Sequence, residues 1–278
     1  TPNPDNKKDA RGMSIKILGV DGENLLDAER DPSINLLGAG DEHLLDGKSD
    51  SSVELVGEYM LDGKSDLHTV DFITISFDSF FAKNVKELYF FTKAFFSGML
   101  GRLLYFFNPF NPHIGTFLSI FKSAQRHTSP LDVRYWSMTP YLFGTRAVKY
   151  SVRPWEHTKA TIAKKPTPNY LRENMRTQLA FDTFYFDFMV QFQSDPYTMP
   201  IEDPMVSWDE RASPFRKLAT IVIPPQNFDR AAPMEFGEKL VYNPWRCLPE
   251  HRPLGGINRS RKKVYEVTST FRKKRNEQ

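Results

Sequence analysis

Residues 181–193 (FDTFYFDFMVQFQ) carry aromatic side chains at both odd and even positions. Successive side chains of a strand point to opposite faces of a sheet, so this pattern predicts a strand that is buried on both faces or lines a pocket. A strand of this kind has to lie inside a sheet. Further segments alternate or are strand-like and predict its neighbours, at residues 13–20, 70–77, 147–152 and 218–223.

Helical segments are expected on both sides of this sheet. Residues 80–107 and 114–124 are apolar segments of helical character, and the sequence NPFNP at 108–112 separates them as a strong helix breaker. Residues 235–241 and 259–275 predict two closing helices. The sequence therefore predicts an α+β fold, in which an antiparallel β-barrel or sheet has helices packed outside it and at the C-terminus.

Charge is distributed unevenly along the chain of 278 residues, which has 37 Lys and Arg against 34 Asp and Glu. Residues 1–66 hold 15 acidic and 7 basic residues, whereas residues 259–275 hold eight basic residues and one acidic residue. An acidic body with a basic end does not indicate nucleic-acid binding over the whole surface. We expect no nucleic-acid partner. The alternative is an interaction protein whose basic end, with Lys273, Lys274 and Arg275, contacts nucleic acid or an anionic membrane in a salt-dependent way.

Two features bear on the compartment. Lys93 and Arg102 interrupt the most apolar region, so no transmembrane segment is expected. The single cysteine, Cys247, cannot form an internal disulfide, which favours a reducing, cytoplasmic compartment. The chain begins with Thr1 and shows no signal-peptide pattern, and we expect its N-terminus to be incomplete.

A short acidic repeat occurs near the N-terminus. The sequence HLLDGKSD at residues 43–50 returns as YMLDGKSD at 59–66, with a fainter copy at 24–27. Two or three copies at unequal spacing do not form a solenoid. The repeat predicts a solvated surface insertion over residues 23–68. Calcium binding is the alternative, although the full series of acidic ligands of a calcium loop is missing.

The sequence lacks the common catalytic motifs: a Gly-rich phosphate loop, Gly-x-Ser-x-Gly, His-Glu-x-x-His and Cys-x-x-Cys. Its six histidines show no metal-ligand spacing. Cys247 has one nearby base, His251, but Pro249 lies between them and disfavours the helical spacing that would pair them. A cysteine nucleophile is therefore not favoured.

The C-terminal helix is the most informative segment. At 100° per residue, Arg261, Tyr265 and Arg272 lie within about 40° of one another, so one face presents a tyrosine hydroxyl between two guanidinium groups. Permanent cations favour the phenolate form of a phenol. A phenolate can bind ferric iron, and tyrosine is the axial haem ligand of catalase. The alternative is an ordinary basic amphipathic helix that buries three apolar residues, namely Val264, Val267 and Phe271.

Residues 243–265 (NPWRCLPEHRPLGGINRSRKKVY) resemble the C-terminal part of the catalase-related haem proteins, a family of true catalases and smaller catalase-like relatives. Four other segments resemble this family in the same order: 9–16 (DARGMSIK), 70–81 (VDFITISFDSFF), 135–154 and 199–215. The resemblance covers nearly the whole chain apart from the acidic repeat. It implies one catalase-like haem-binding domain over residues 1–278, built on an antiparallel β-barrel.

The resemblance also implies a cofactor and its ligands. The cofactor would be haem b, with Tyr265 as the axial ligand of the iron, Arg261 bonded to its phenolate, and Arg272 and Arg11 near the propionates. The chain departs from the family on the distal side. The family's distal histidine lies upstream of the segment 9–16, where this sequence has no His. The alignment places Ser76, to within a shift of one residue, at the position where catalases have a distal Asn. Ser76 is therefore our candidate distal-side residue.

By this resemblance, the chain is an oxidoreductase that acts on hydrogen peroxide or on organic (fatty-acid) hydroperoxides through a tyrosinate-ligated haem. The alternative is a haem-binding relative without significant catalysis. A distal acid-base group typically raises the rate of such a reaction ~100- to 10,000-fold, and this sequence lacks the family's distal histidine. The aromatic region 80–121 has two interpretations, an apolar substrate channel or a core and helix-packing surface. Members of the family are commonly oligomeric, and we expect a homo-oligomer.

Overall fold

The computed structural model describes residues 4–28, 68–109, 113–157 and 159–276. Most of the predicted insertion 23–68, with both full copies of the acidic repeat, lies outside the described residues. Seven strands form one antiparallel sheet: β1 (Gly12–Ile17), β2 (Val70–Ile75), β3 (Tyr135–Trp136), β4 (Tyr141–Phe143), β5 (Arg146–Pro154), β6 (Phe184–Phe192) and β7 (Arg216–Ile223).

The sheet is open. Its strand order is β1-β2-β3-β5-β6-β7, and β4 pairs with β5 outside this order. Within the described parts of the chain, β1 and β7 are the two edges and do not pair with each other, so the strands form a curled half-barrel. The expected antiparallel sheet is present, and a full closed barrel is not shown. Six strands along the path are fewer than the about eight that close around an interior filled with side chains. A register shift between Phe188 and Met189 interrupts the β6–β7 pairing.

Strand β6 lies inside the sheet, as predicted, but Tyr185 is exposed and the aromatic half of the strand is not buried on both faces. Phe184 and Phe186 are buried, and the strand is then buried on both faces at three successive residues, 189–191. Two core clusters lie along the sheet. One contains Phe72, Tyr150 and Val190, and the other contains Tyr135, Val152 and Phe186.

Among the described residues, six helices accompany the sheet: α1 (Val85–Phe96), α2 (Gly98–Phe106), α3 (Ile114–Ser123), α4 (Tyr170–Leu179), α5 (Ala231–Lys239) and α6 (Gly255–Asn276), and residues 25–28 add one helical turn. The single helix predicted over residues 80–107 is two helices, because Gly98 adopts a positive φ of 79° at their junction. Helix α4 was not predicted. No helix within the described ranges combines the length and the hydropathy needed to cross a membrane.

The start of α6 is fixed by close packing. Gly255 has a φ of 84°, and a Cβ at this position would lie 2.7 Å from the carbonyl oxygen of Ile201, so only glycine fits. Two residues later, Ile257 is buried in a small cluster with Phe80 and Ala82. The first turns of α6 are therefore held against the body of the protein.

The later turns of α6 are more open. Val264 and Val267 are each 56% exposed and Phe271 is 65% exposed. The amphipathic-helix interpretation required these three side chains to be buried, and the structure contradicts it.

Candidate functional site

Arg261 is buried at the centre of a polar cluster on α6. Its Nη1 donates to Asn258 Oδ1 at 3.0 Å, to Thr139 Oγ1 at 3.1 Å and to Tyr141 Oη at 3.4 Å, and its Nη2 donates to Tyr265 Oη at 3.3 Å. Burial opposes the charge of this guanidinium, but the two tyrosines outweigh burial and raise the pKa of Arg261. The site therefore holds a permanent cation in contact with the Tyr265 hydroxyl.

Asn258 holds this guanidinium in place. It is fully buried, and its Nδ2 donates to the carbonyl oxygens of Pro140 at 2.8 Å and Leu254 at 2.9 Å. Its Oδ1 accepts from both Arg261 and Thr139. Sequence reasoning missed Asn258 and Thr139. The available signal was the spacing of Asn258, which lies three residues before Arg261 and so on the same side of the helix.

Tyr265 lines a cavity of ≈ 480 Å³ between α6 and the antiparallel pair β1–β2. Ser14 and Ile73, which pair across β1 and β2, form its sheet side. Its size lies in the range of small-molecule and cofactor pockets. The other lining residues come from α6 and from the segment before it: Val241, Tyr242, Thr268, Ser269, Phe271 and Arg272.

Arg272 lies at the same cavity, two turns of α6 beyond Tyr265. Its Nη2 donates to the carbonyl oxygen of Leu240, which precedes Val241 of the cavity wall. The structure thus brings three of the predicted site residues together: Tyr265 and Arg272 line the cavity, and Arg261 contacts Tyr265 from the protein interior.

Arg11 and Ser76 lie elsewhere. The backbone N–H of Arg11 donates to Ser76 Oγ at 2.9 Å, and the guanidinium of Arg11 pairs with Asp5 at 3.4 Å. Ser76 lines a second cavity of ≈ 370 Å³, and no described residue lines both cavities. Strand alternation explains this separation. Arg11 is three positions from Ser14, and Ser76 is three positions from Ile73, and both Ser14 and Ile73 line the Tyr265 cavity. Because side chains alternate along a strand, residues three apart point to opposite faces of the sheet.

Histidine contributes to the second cavity and not to the first. His127 lines the cavity of Ser76, and burial together with the charge of Arg11 lowers the pKa of its imidazole. Among the described residues, no histidine lines the Tyr265 cavity, and no three His, Cys, Asp or Glu side chains gather as a metal site.

Cys247 is unsuited to nucleophilic chemistry. The thiol is buried, and burial raises its pKa to about 12. Its Sγ lies 3.6 Å from the carbonyl oxygen of Trp245. The imidazole of His251, the candidate base, instead stacks on Phe143. The structure agrees with the expectation that Cys247 and His251 do not act as a nucleophile and its base.

Three solved structures of catalases resemble this chain. A fungal catalase matches with a TM-score of 0.56 and 14% sequence identity, and the match covers 75% of this chain and 46% of the catalase chain. The fold is catalase-like. Catalase A from Saccharomyces cerevisiae matches with a TM-score of 0.55 and 12% identity, covering 73% of this chain and 46% of the catalase chain. A bacterial catalase matches with a TM-score of 0.54 and 12% identity, covering 74% of this chain and 44% of the catalase chain.

The catalase-like chain thus spans less than half the length of these catalases, and at such low identity the likeness shows the fold alone. No protein-family model matches the sequence, and no curated protein matches it.

Proposed function

We propose that this chain is a catalase-like haem protein that binds haem b at the cavity beside α6 and acts on hydrogen peroxide or organic hydroperoxides. One observation carries the proposal: Tyr265 lines a cofactor-sized cavity of a catalase-like fold, and its hydroxyl accepts a hydrogen bond from the buried guanidinium of Arg261.

The residues of the cavity fit a haem. Ile73, Val241 and Phe271 offer apolar contact to a macrocycle, and Arg272 offers a cation to a carboxylate substituent. Tyr265 supplies the oxygen donor that ferric iron accepts from a protein. The donor set and the size of the cavity both suit this cofactor.

Each of these residues has a distinct task. Arg261 stabilises negative charge on the Tyr265 oxygen and cannot relieve the contact by losing its proton. Asn258 and Thr139 fix the direction of that guanidinium, and Arg272 orients the cofactor through its carboxylate. A bound haem iron would supply the redox chemistry that cleaves a peroxide bond. The roles of Arg11 and Ser76 stay predictions from the resemblance, since their positions give the cavity no support.

Proton transfer decides between enzyme and binding protein. Peroxide cleavage needs a group that takes a proton from one oxygen and delivers it to the other. No histidine of the described residues lines the Tyr265 cavity, which favours the second candidate function, a haem-binding relative without significant catalysis.

A turnover assay on haem-loaded protein tests the proposal. Oxygen release from hydrogen peroxide and loss of a fatty-acid hydroperoxide are measured against free haem at equal concentration. Turnover about 100-fold above free haem supports the enzyme, because an acid-base group contributes at least this factor. Haem uptake without such turnover supports the binding protein. Failure to take up haem contradicts both.

A further inference from the structure

A second surface of the molecule, formed by helices α1, α2 and α3, has no role in the haem site. No residue of α1 or α2 is buried, and Thr116 is the one buried residue of α3. The three helices are nevertheless rich in aromatic and aliphatic residues. A helix that packs on a core buries such a stripe, and these helices leave theirs in solvent.

The exposed apolar residues follow helical spacing. On α2, Met99 and Leu100 are 77% and 70% exposed, and each is followed four residues later by another exposed leucine. Phe96 at the end of α1 is 81% exposed and Phe121 on α3 is 69% exposed. Monomeric soluble proteins rarely expose large contiguous apolar patches, and such patches mark interaction sites. We call this exposed set the α1–α3 surface; its other exposed members are Tyr89, Phe90, Phe95, Leu103, Leu104, Phe107, Ile114, Phe117 and Leu118.

The α1–α3 surface is attached firmly at one end. Asn84 caps α1, since its Oδ1 accepts a hydrogen bond from the backbone N–H of Glu87 at 3.0 Å. Just before it, Ala82 is fully buried beside Ile257 of α6. The helices therefore begin from a fixed point on the body and present their apolar side chains outward from it.

The charges that the chain carries along these three helices are nearly all positive. Between residues 83 and 126 the chain has six Lys or Arg and one acidic residue, Glu87. Four of the cations are exposed on the helices, and none of the four forms an ion pair with another described residue: Lys86, Lys93, Arg102 and Lys122. Aromatic and aliphatic side chains bordered by Lys and Arg are the composition of helices that lie in the headgroup region of anionic membranes.

The helix lengths fit this orientation. The helices have 12, 9 and 10 residues, which at 1.5 Å per residue makes each far shorter than the about 30 Å of a hydrocarbon core. They can lie in the plane of the membrane interface but are too short to cross the hydrocarbon core. A symmetric dimer through this surface is disfavoured, because it would place the same basic residues of two copies against each other.

We propose that the α1–α3 surface docks the protein on an anionic lipid bilayer, with the apolar side chains inserted below the headgroups and the basic side chains paired with acidic lipids. This docking does not depend on haem or on catalysis.

Co-sedimentation with vesicles tests this proposal. Vesicles of phosphatidylcholine with about one third phosphatidylserine should bind the protein, and binding should weaken as salt rises. The double variant Phe96→Glu, Leu100→Glu should lower the partition coefficient by at least about tenfold, because each change removes a large apolar side chain from the lipid. Phe181→Glu is the matched control, since Phe181 is 84% exposed outside these helices. It should bind like the parent protein.

Three results would overturn the proposal. The first is equal vesicle binding by the double variant and the parent. The second is a loss of vesicle binding in the variant Lys274→Glu, Arg275→Glu while the variant Phe96→Glu, Leu100→Glu still binds. This result would place the membrane contact at the end of α6. The third is no vesicle binding together with a dimer, seen by sedimentation equilibrium, that the double variant dissociates. Circular dichroism verifies that each variant is folded.

Discussion

Arg261 donates to the hydroxyl of Tyr265 over 3.3 Å from the preceding turn of the same helix. The four-residue spacing of the two positions sets this contact, because residues four apart lie on one face of an α-helix. Asn258, one turn earlier again, holds the other nitrogen of the guanidinium. Asn258, Arg261 and Tyr265 thus form one chain of hydrogen bonds along α6, which ends at the hydroxyl of Tyr265.

Asn258→Ala should lower the free energy of unfolding by about 1–3 kcal/mol, because it removes four hydrogen bonds of a fully buried side chain. The carbonyl oxygens of Pro140 and Leu254, the hydroxyl of Thr139 and the guanidinium of Arg261 each lose one hydrogen bond. Urea denaturation measures the change. Asn169→Ala is the control, since Asn169 is exposed and its side chain caps no backbone N–H of α4. Equal losses in both variants would contradict the structural role of Asn258.

Lys149 should make stability depend on pH. It is buried, its Nζ donates to the carbonyl oxygen of Val206, and burial lowers its pKa to about 8 despite the opposing charges of Asp78 and Asp203. Below pH 8 the lysine is charged in both the folded and the unfolded protein, and the folded protein bears the full free-energy cost of burying that charge. As pH rises further, the folded protein loses this proton before the unfolded chain does, so stability increases.

Lys149→Met should remove this increase. Between pH 8 and about pH 9.5 the parent should gain about 1–2 kcal/mol relative to the variant in urea denaturation at each pH. The comparison cancels the titration of all other groups that the two proteins share. An identical pH profile for the two would show that Lys149 keeps an ordinary pKa in the folded protein.

Arg272→Gln should weaken haem binding about tenfold or less while preserving the absorption of a tyrosinate ligand, because Arg272 contacts the cofactor at a carboxylate and not at the iron. Haem titration followed in the Soret region measures the affinity. Lys274→Gln removes one charge from the same end of α6 at an exposed residue and should change little. If both variants lose affinity equally, the effect is one of overall charge and Arg272 has no specific role.

The sequence predicted the elements whose pattern is strong. Strand β6 was found from its aromatic residues, and α6 was predicted as a closing helix over residues 259–275, because such elements are set by local patterns in the sequence. Strands β3 and β4 have two and three residues and are too short to show a period. Helix α4 escaped prediction because its mean hydropathy is low and its sequence, YLRENMRTQL, buries only three residues.

The candidate site was predicted in part for the same reason. The neighbours on one helix, Arg261, Tyr265 and Arg272, followed from spacing within α6. Thr139 and Ser14 reach the site from distant parts of the chain, and only the pairing of the strands and the packing of α6 place them there. Ser76 and Arg11 were assigned by alignment to the family, and neither lines the Tyr265 cavity; Ser76 lines another cavity instead.

The haem spectrum of Tyr265→Phe tests the central claim most directly. Haem is titrated into the parent, into Tyr265→Phe and into Tyr242→Phe, which removes the other tyrosine hydroxyl of the same cavity. We predict that the parent and Tyr242→Phe show high-spin ferric tyrosinate absorption, and that Tyr265→Phe loses both this absorption and most of its haem affinity. An unchanged spectrum in Tyr265→Phe, with haem still bound, would contradict the assignment of Tyr265 as the iron ligand.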